Sequence, residues 1–179
     1  MRVSFCTLLL FALLAALPST AQTSPTLPAV PAGNFHFDGT WDCTGTFLRS
    51  GKTHKATFTG TPILGSTWLE LTEQDIEPAT GYLAKYLIGY DSQQKRLVEF
   101  DANNFGAAMY SSTDGWKNDV LTMTSPVADT PNSYAANRFL YTITSPKTFT
   151  VDWQISKTST LVWVPSDHLE CTLRSTTIR

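Results

Sequence analysis

The sequence predicts an all-β fold, an antiparallel barrel of about ten strands. Three observations carry this prediction: apolar and polar residues alternate, turn signals are frequent, and a cysteine lies near each end of the alternating region. The alternation is clearest over residues 149–155, where Phe, Val, Trp and Ile alternate with Thr, Asp and Gln. A period of two is typical of half-buried strands, and β-branched and aromatic residues favour them.

Turn signals divide this region into short segments. Gly, Pro, Asn, Asp and Ser cluster at 78–81, 91–94, 114–115, 118–119 and 144–147, and these residue types favour turns. Many short strands between regular turns are typical of barrels and sandwiches, and no stretch shows a sustained helical period. The predicted strands are 38–48, 54–63, 66–75, 82–90, 95–101, 106–112, 118–124, 134–144, 148–156 and 161–174.

Two cysteines favour the barrel over the sandwich. Cys43 lies in the first predicted strand and Cys171 in the last. In an oxidising compartment an isolated pair more often forms a disulfide than a metal site, with two buried free thiols as the alternative. A disulfide requires Cα atoms only about 4.4–6.8 Å apart, so it would make the first and last strands neighbours. Closing a barrel produces that adjacency, although a sandwich also allows it.

The first residues have the pattern of a secretory signal peptide. Arg2 precedes an apolar run over 3–17, and the small residues Ser19 and Ala21 predict cleavage after Ala21. The alternative is a membrane anchor, but the run is shorter than the ~20 apolar residues that span a bilayer. We therefore expect a periplasmic or secreted protein without a membrane span after cleavage. The predicted organisation is a signal peptide at 1–21, a Pro-rich tether at 22–34 and a β-barrel domain at 35–179.

The charge of the mature part excludes two classes of partner. The chain has 13 Lys and Arg against 15 Asp and Glu, and loss of Arg2 leaves 12 against 15, a formal charge of −3. No run of Lys or Arg occurs. We therefore expect neither nucleic acid nor an anionic membrane surface as a partner, since both require basic clusters.

Four motifs in order resemble a known family. They are residues 37–47 with Gly39-Thr-Trp41, residues 64–70, residues 87–98 with Gly89-Tyr-Asp91, and residues 114–121. This set is similar to an uncharacterised bacterial family of calycin-type, lipocalin-like barrels, catalogued as domain of unknown function 1579, over about residues 37–174. The resemblance implies a lipocalin-like barrel and no reaction. Lipocalins also place a basic residue of the last strand over the opening Trp; Arg174 is the residue near that place, although its parity is opposite to that of Cys171.

The histidines do not predict a metal or cofactor site. His36, His54 and His168 have no ligand spacing along one strand, and we interpret them as exposed turn residues. His168 is the one to test as a haem ligand, because it precedes a segment that enters the core. We predict no metal and no cofactor.

The acidic residues do not predict a catalytic centre. Glu73, Asp75 and Glu77 share a parity near the end of a strand, which we interpret as a solvated face. Buried, such carboxyl groups would suit acid–base chemistry. A hydrolase nucleophile elbow, a phosphate-binding loop and a dinucleotide fingerprint are all lacking, so we predict no catalytic residue.

Aromatic residues are the remaining functional signal. Several large rings, including Phe100, fall on faces that we assign to the barrel interior, where they either fill the core or line a cavity. The sequence predicts a small apolar or amphipathic ligand in the interior. The alternatives are an isomerase- or cyclase-like enzyme using the same cavity, and a non-catalytic module that binds envelope partners. The predicted ligand-binding residues are Trp41, Tyr86, Phe139, Tyr141 and Trp153.

Overall fold

The structure is a computed structural model that describes residues 26–31, 33–129 and 134–175. The described residues form eleven β-strands and no helix, which confirms the predicted all-β fold. The predicted signal peptide lies outside the described residues. The strands are β1 Gly39–Phe47, β2 Lys52–Ile63, β3 Trp68–Glu77, β4 Leu83–Asp91, β5 Arg96–Asn103, β6 Gly106–Ser112, β7 Trp116–Lys117, β8 Val120–Thr124, β9 Ala136–Ser145, β10 Thr148–Ser156 and β11 Val164–Leu173.

Ten of these strands close into an antiparallel, lipocalin-like barrel. The order around the sheet is β6-β5-β4-β3-β2-β1-β11-β10-β9-β8, and β8 returns to β6. Among the described residues β6 meets β8 through Ser111 and Thr124. The two-residue strand β7 pairs with the start of β8. The predicted barrel of about ten strands is therefore confirmed. The strand pairing that closes it, between β6 and β8, has a single pair of opposed residues among those described.

A disulfide joins the first strand to the last. Cys43 of β1 lies opposite Cys171 of β11 in the antiparallel register, and the two are bonded across 128 residues of sequence. Both residues are buried. The predicted bond and the predicted adjacency of the terminal strands are both confirmed.

One end of the barrel is filled by aromatic side chains. Trp41 is fully buried, and its indole Nε1 donates a hydrogen bond to the Phe37 carbonyl at 2.9 Å. Phe35 stacks over Trp41 with ring centroids 5.6 Å apart, and Phe149 meets Trp41 edge-on at 4.9 Å. Phe35 thus occupies the place where the lipocalin pattern puts a basic residue. Arg174 instead makes an exposed ion pair with Asp42.

Part of the Pro-rich segment belongs to this closed end. Ala29 is buried in the core, with Leu27 and Val30 packed against it, and Trp116 donates its indole N–H to the Ala29 carbonyl at 3.2 Å. The prediction of a tether at 22–34 is therefore wrong for these three residues, which pack with the core. Apolar side chains in an otherwise tether-like segment are stabilised here because the end of the barrel offers them a surface to bury against.

The prediction that the Phe100 side chain points into the barrel is wrong. Its side chain is 45% exposed on the outside of the barrel and stacks on Trp68 at 6.2 Å. On the same strand Leu97, Val98, Glu99 and Asp101 are buried, and all of them except Val98 have the parity opposite to that of Phe100. Side chains alternate across a strand, so the inward position of Leu97 places two acidic residues inside and the aromatic ring outside.

None of the described residues belongs to a helix that could cross a membrane.

Candidate functional site

The open end of the barrel holds a cavity of about 530 Å³. Its walls come from the ends of β3 and β5, the starts of β2, β4 and β6, and the facing parts of β9, β10 and β11. The filled closed end makes this cavity a cup rather than a channel. The sequence left open whether the aromatic side chains fill the barrel or line a cavity. Both occur, since one half of the interior is packed and the other half is hollow.

The five predicted ligand-binding residues lie at three depths. Tyr86, Phe139 and Trp153 line the cavity. Tyr141 lies deeper, beside a void of about 20 Å³. Trp41 is at the closed end, packed against Phe35 and Phe149, and does not line the cavity. Parity along a strand predicts which face a side chain takes, but not its height along the barrel axis.

His54 is the centre of a buried polar cluster at the mouth of the cup. Its Nδ1 lies 2.8 Å from Asp167 Oδ2 and its Nε2 lies 2.9 Å from Asp75 Oδ1. The Phe47 ring stacks on the imidazole at 4.3 Å. Thr80 donates its hydroxyl to Asp75 Oδ2 at 2.9 Å. Three strands and one turn thus hold the imidazole in a fixed orientation.

The interpretation of His54 as an exposed turn residue is wrong. β2 begins at Lys52, two residues before the predicted start, so His54 is already inside the strand. It shares its inward parity with Ala56 and Phe58, and its residue exposure is 3%. That shared parity is the signal by which the sequence would have placed His54 in the interior.

Two carboxylates control the protonation of His54. Burial by itself lowers the pKa of the imidazole, but the hydrogen bonds and negative charges of Asp167 and Asp75 outweigh burial and raise its pKa to about 9. At neutral pH His54 is therefore an imidazolium that donates one N–H to each carboxylate.

A second polar group, Glu73 with two tyrosines, lies beside this cluster. Tyr86 donates its hydroxyl to Glu73 Oε2 at 2.5 Å, and the Tyr82 hydroxyl lies 3.2 Å from that of Tyr86. Burial raises the pKa of Glu73 to about 7 against the opposing effect of the Tyr86 hydrogen bond. Glu73 therefore changes its protonation state near neutral pH.

The solvated-face interpretation of the acidic residues is wrong for Glu73 and Asp75. Both belong to the inward set of β3 that begins with Leu69 and Leu71, and the Asp75 side chain is only 5% exposed. Glu77 does remain at the surface, where it pairs with Lys55 at 2.6 Å. The acidic cluster therefore continues an apolar face into the barrel, because His54 and Tyr86 satisfy carboxyl groups that would otherwise be costly to bury.

Further carboxyl groups lie on the opposite wall and below the cup. Asp101 of β5 lines the cavity; burial raises its pKa, while the hydrogen bond from Asn103 opposes this. Glu99 is fully buried beneath, where Tyr141 donates to its Oε2 at 3.2 Å. Burial raises the pKa of Glu99 to about 8, which favours its protonated form at neutral pH.

Three residues of the cup have the geometry to hold a metal ion. One ligand atom each from His54, Glu73 and Asp75 lies within 4.8 Å of the others, and imidazole nitrogen with carboxylate oxygen suits several divalent metals. In this arrangement, however, both ring nitrogens of His54 already hold hydrogen bonds to carboxylates. A metal ion would have to displace the Nε2 proton and its bond to Asp75.

His168 lies outside the cup. Leu169 and Cys171 face inward, so strand alternation directs His168 outward, where its Nδ1 lies 2.7 Å from Asp152 Oδ1. Its position therefore does not favour the haem ligand that we considered from the sequence.

Two sequence comparisons with known proteins find no relative of this chain. A scan against protein-family models finds no match for this chain, and a search of the curated proteins finds none either. The resemblance to the calycin-like family stays a prediction from its motifs.

Proposed function

We propose that this protein binds a small amphipathic molecule in the open half of its barrel. The observation that carries the proposal is the cup of about 530 Å³, in which aromatic walls meet buried hydrogen-bonding groups. Ligand sites are typically clefts of about 300–1,000 Å³ with mostly apolar walls and a few polar groups. The apolar part of the ligand lies against Tyr86, Phe139 and Trp153, and its polar part reaches the His54 and Glu73 groups.

The cellular place that we propose is the periplasm or the outside of the cell. The Cys43–Cys171 disulfide supports it, because such bonds persist in oxidising compartments. Rigidity of the barrel supports the binding function itself. A cup whose closed end is packed and whose terminal strands are covalently joined is ordered before its ligand arrives, which lowers the entropic cost of association.

Binding is testable with the neutral fluorescent probe N-phenylnaphthylamine. We expect a saturable increase in its emission, and Phe139→Ala should weaken its affinity about tenfold, because the variant removes a ring from the cavity wall. Phe100→Ala is the matched control, since Phe100 lies on the outer face of the barrel. Equal affinities of the two variants, or emission that never saturates, would contradict binding in the cup.

The second candidate function is an enzyme that moves a proton on the bound molecule, as an isomerase or cyclase does. Glu73 favours it, because a carboxyl group with a pKa of about 7 can give and take a proton at neutral pH. Tyr86 orients this group through its hydrogen bond. The cup would then position the substrate and exclude water from the reacting carbon.

Hydrogen exchange separates the enzyme from the binding protein. The ligand that copurifies with the exported protein, identified by native mass spectrometry, is incubated with the protein in D2O. An enzyme should introduce deuterium at a carbon atom of the ligand, and Glu73→Gln should abolish this incorporation while preserving binding. Glu70→Gln is the control, since Glu70 lies on the outer side of the same strand and pairs with Lys85. Incorporation that survives Glu73→Gln would exclude Glu73 from the chemistry.

The interaction module has less support among the described residues. A filled, polar interior would favour that alternative, and the open half of the barrel is hollow.

A further inference from the structure

The charged side chains that line the cup are mainly negative. Four carboxyl groups face the cavity, those of Glu73, Asp75, Asp101 and Asp167, and His54 is the basic residue among them. No Lys or Arg occurs among the described lining residues. Even with Glu73 protonated and His54 charged, the remaining three carboxylates leave an excess of two negative charges. A cleft of one sign with low-dielectric walls concentrates ions of the opposite sign.

One of these carboxylates has an unused acceptor. Asp167 bonds His54 through Oδ2, but its Oδ1 is buried and has no hydrogen-bond partner within the described part of the chain. The residue as a whole is 9% exposed and lines the cavity. An unpaired buried carboxylate oxygen is costly, and an N–H donor from a bound molecule would satisfy it.

The aromatic walls suit a positive charge as well. Trp153, Phe139 and Tyr110 contribute rings to the cavity, and Phe105 lies at the rim, stacked on Tyr82 at 6.0 Å. Cations are attracted to the faces of such rings, and desolvation strengthens the attraction. Rings beside carboxylates therefore complement an organic cation on both its charged and its apolar sides.

We propose that the ligand of this cup is an organic cation, a molecule with an ammonium group attached to an apolar body. This inference rests on the proposed binding function and narrows its ligand class. The ammonium group lies between Asp101 and Asp167, donating to Asp167 Oδ1, and the apolar body lies against Phe139 and Trp153. Anionic amphiphiles such as fatty acids are disfavoured by the same charges.

A bare metal ion fits these observations less well. A divalent cation at His54, Glu73 and Asp75 would have to displace the Nε2 proton of the imidazolium and its hydrogen bond to Asp75. It would also leave most of the 530 Å³ and the aromatic walls without a partner. An organic ammonium ion leaves the His54 hydrogen bonds intact, fills the cavity and contacts its aromatic walls.

Three probes with one hydrocarbon body test the charge preference. Octylamine, octanol and octanoate are titrated calorimetrically into the full mature protein at pH 7. We expect octylamine to bind at least tenfold more tightly than octanol, and octanoate not to bind. Octanol binding as tightly as octylamine would overturn the cation inference while leaving the binding function in place. Absence of saturable binding by all three would overturn both.

A variant identifies the carboxylate responsible. Asp101→Asn should reduce octylamine affinity about fivefold and leave octanol affinity unchanged, since Asp101 is bonded to Asn103 and not to His54. Asp114→Asn is the control, because Asp114 is an exposed residue that lies apart from the cup and pairs with Lys117. Equal octylamine affinity in both variants would overturn the assignment of the charge to the cup.

Titration with Mn²⁺ and Zn²⁺ alone separates the organic cation from a metal. We expect neither ion to displace octylamine at equal concentration. Stoichiometric metal binding that displaces octylamine and is lost in Asp75→Asn would overturn the inference and assign the cluster to a metal.

Discussion

Reduction of the Cys43–Cys171 disulfide should lower the free energy of unfolding by up to roughly 5 kcal/mol. The bond encloses 128 residues, and the chain-entropy model relates so long a loop to a stabilisation of about that size. Most domains are stable by only about 5–15 kcal/mol, so a loss of this size would be a large fraction of the total stability. Urea denaturation with and without reductant measures the difference.

The control for this experiment is the double variant Cys43→Ala, Cys171→Ala. Its stability should not respond to reductant, whereas the wild type should lose stability in step with the appearance of two titratable thiols. Wild-type protein with two free thiols and unchanged stability would contradict the view that the bond constrains the unfolded chain.

A shift from pH 5 to pH 9 should destabilise the protein by several kcal/mol. Three interior groups hold protons more tightly in the folded state: Glu73 has its pKa raised from 4.5 to about 7, Glu99 from 4.5 to about 8, and His54 from 6.5 to about 9. For the acids, stability falls as pH rises from 4.5 through the folded value. The stabilisation from charged His54 is complete below pH 6.5 and is lost as pH rises through 9. All three changes have the same sign, and each pKa unit corresponds to about 1.4 kcal/mol.

Glu99→Gln should make this pH dependence shallower. Glu99 is fully buried and keeps its proton in the folded protein up to about pH 8, whereas in the unfolded chain it ionises near pH 4.5. Unfolding therefore releases a proton from Glu99 over this range, and glutamine has no such proton. Glu170→Gln is the control, since the Glu170 side chain is 76% exposed. Denaturant unfolding at pH 5, 7 and 9 gives the slopes. A slope in Glu99→Gln equal to that of wild type would show that Glu99 is not the group that titrates.

Strand positions were predictable because their signal is local. Alternation and turn residues predicted ten strands, and the structure has all ten, with small shifts such as the start of β2 at Lys52. The extra strand β7, Trp116–Lys117, is two residues long, too short for any periodicity to show. The disulfide was predictable because the chain that follows the predicted signal peptide has a single pair of cysteines, one in each terminal strand.

The sequence-based prediction was wrong for polar residues that lie on the same face of a strand as buried apolar residues. Glu73 and Asp75 follow Leu69 and Leu71 on the inward side of β3, and polarity alone suggested that the face had turned to solvent. The same assumption placed Phe100 inside, although Leu97 and Glu99 occupy the interior positions of β5. In both strands parity was the better guide, because it follows from backbone geometry and tolerates any side chain that finds a partner.

The amino-acid sequence by itself determined the class of fold, the ten strands of the barrel and its covalent closure, since each depends on patterns within a few residues or on one pair of cysteines. Only the tertiary structure brings together the residues that form the cup at the open end. His54 meets Asp167 across 113 positions of sequence and Asp75 across 21, and closing the barrel brings these groups to one height on its axis. The same closure buries Glu73 beside Tyr86 and raises its pKa, because desolvation depends on the walls around a carboxyl group and not on its neighbours in the chain.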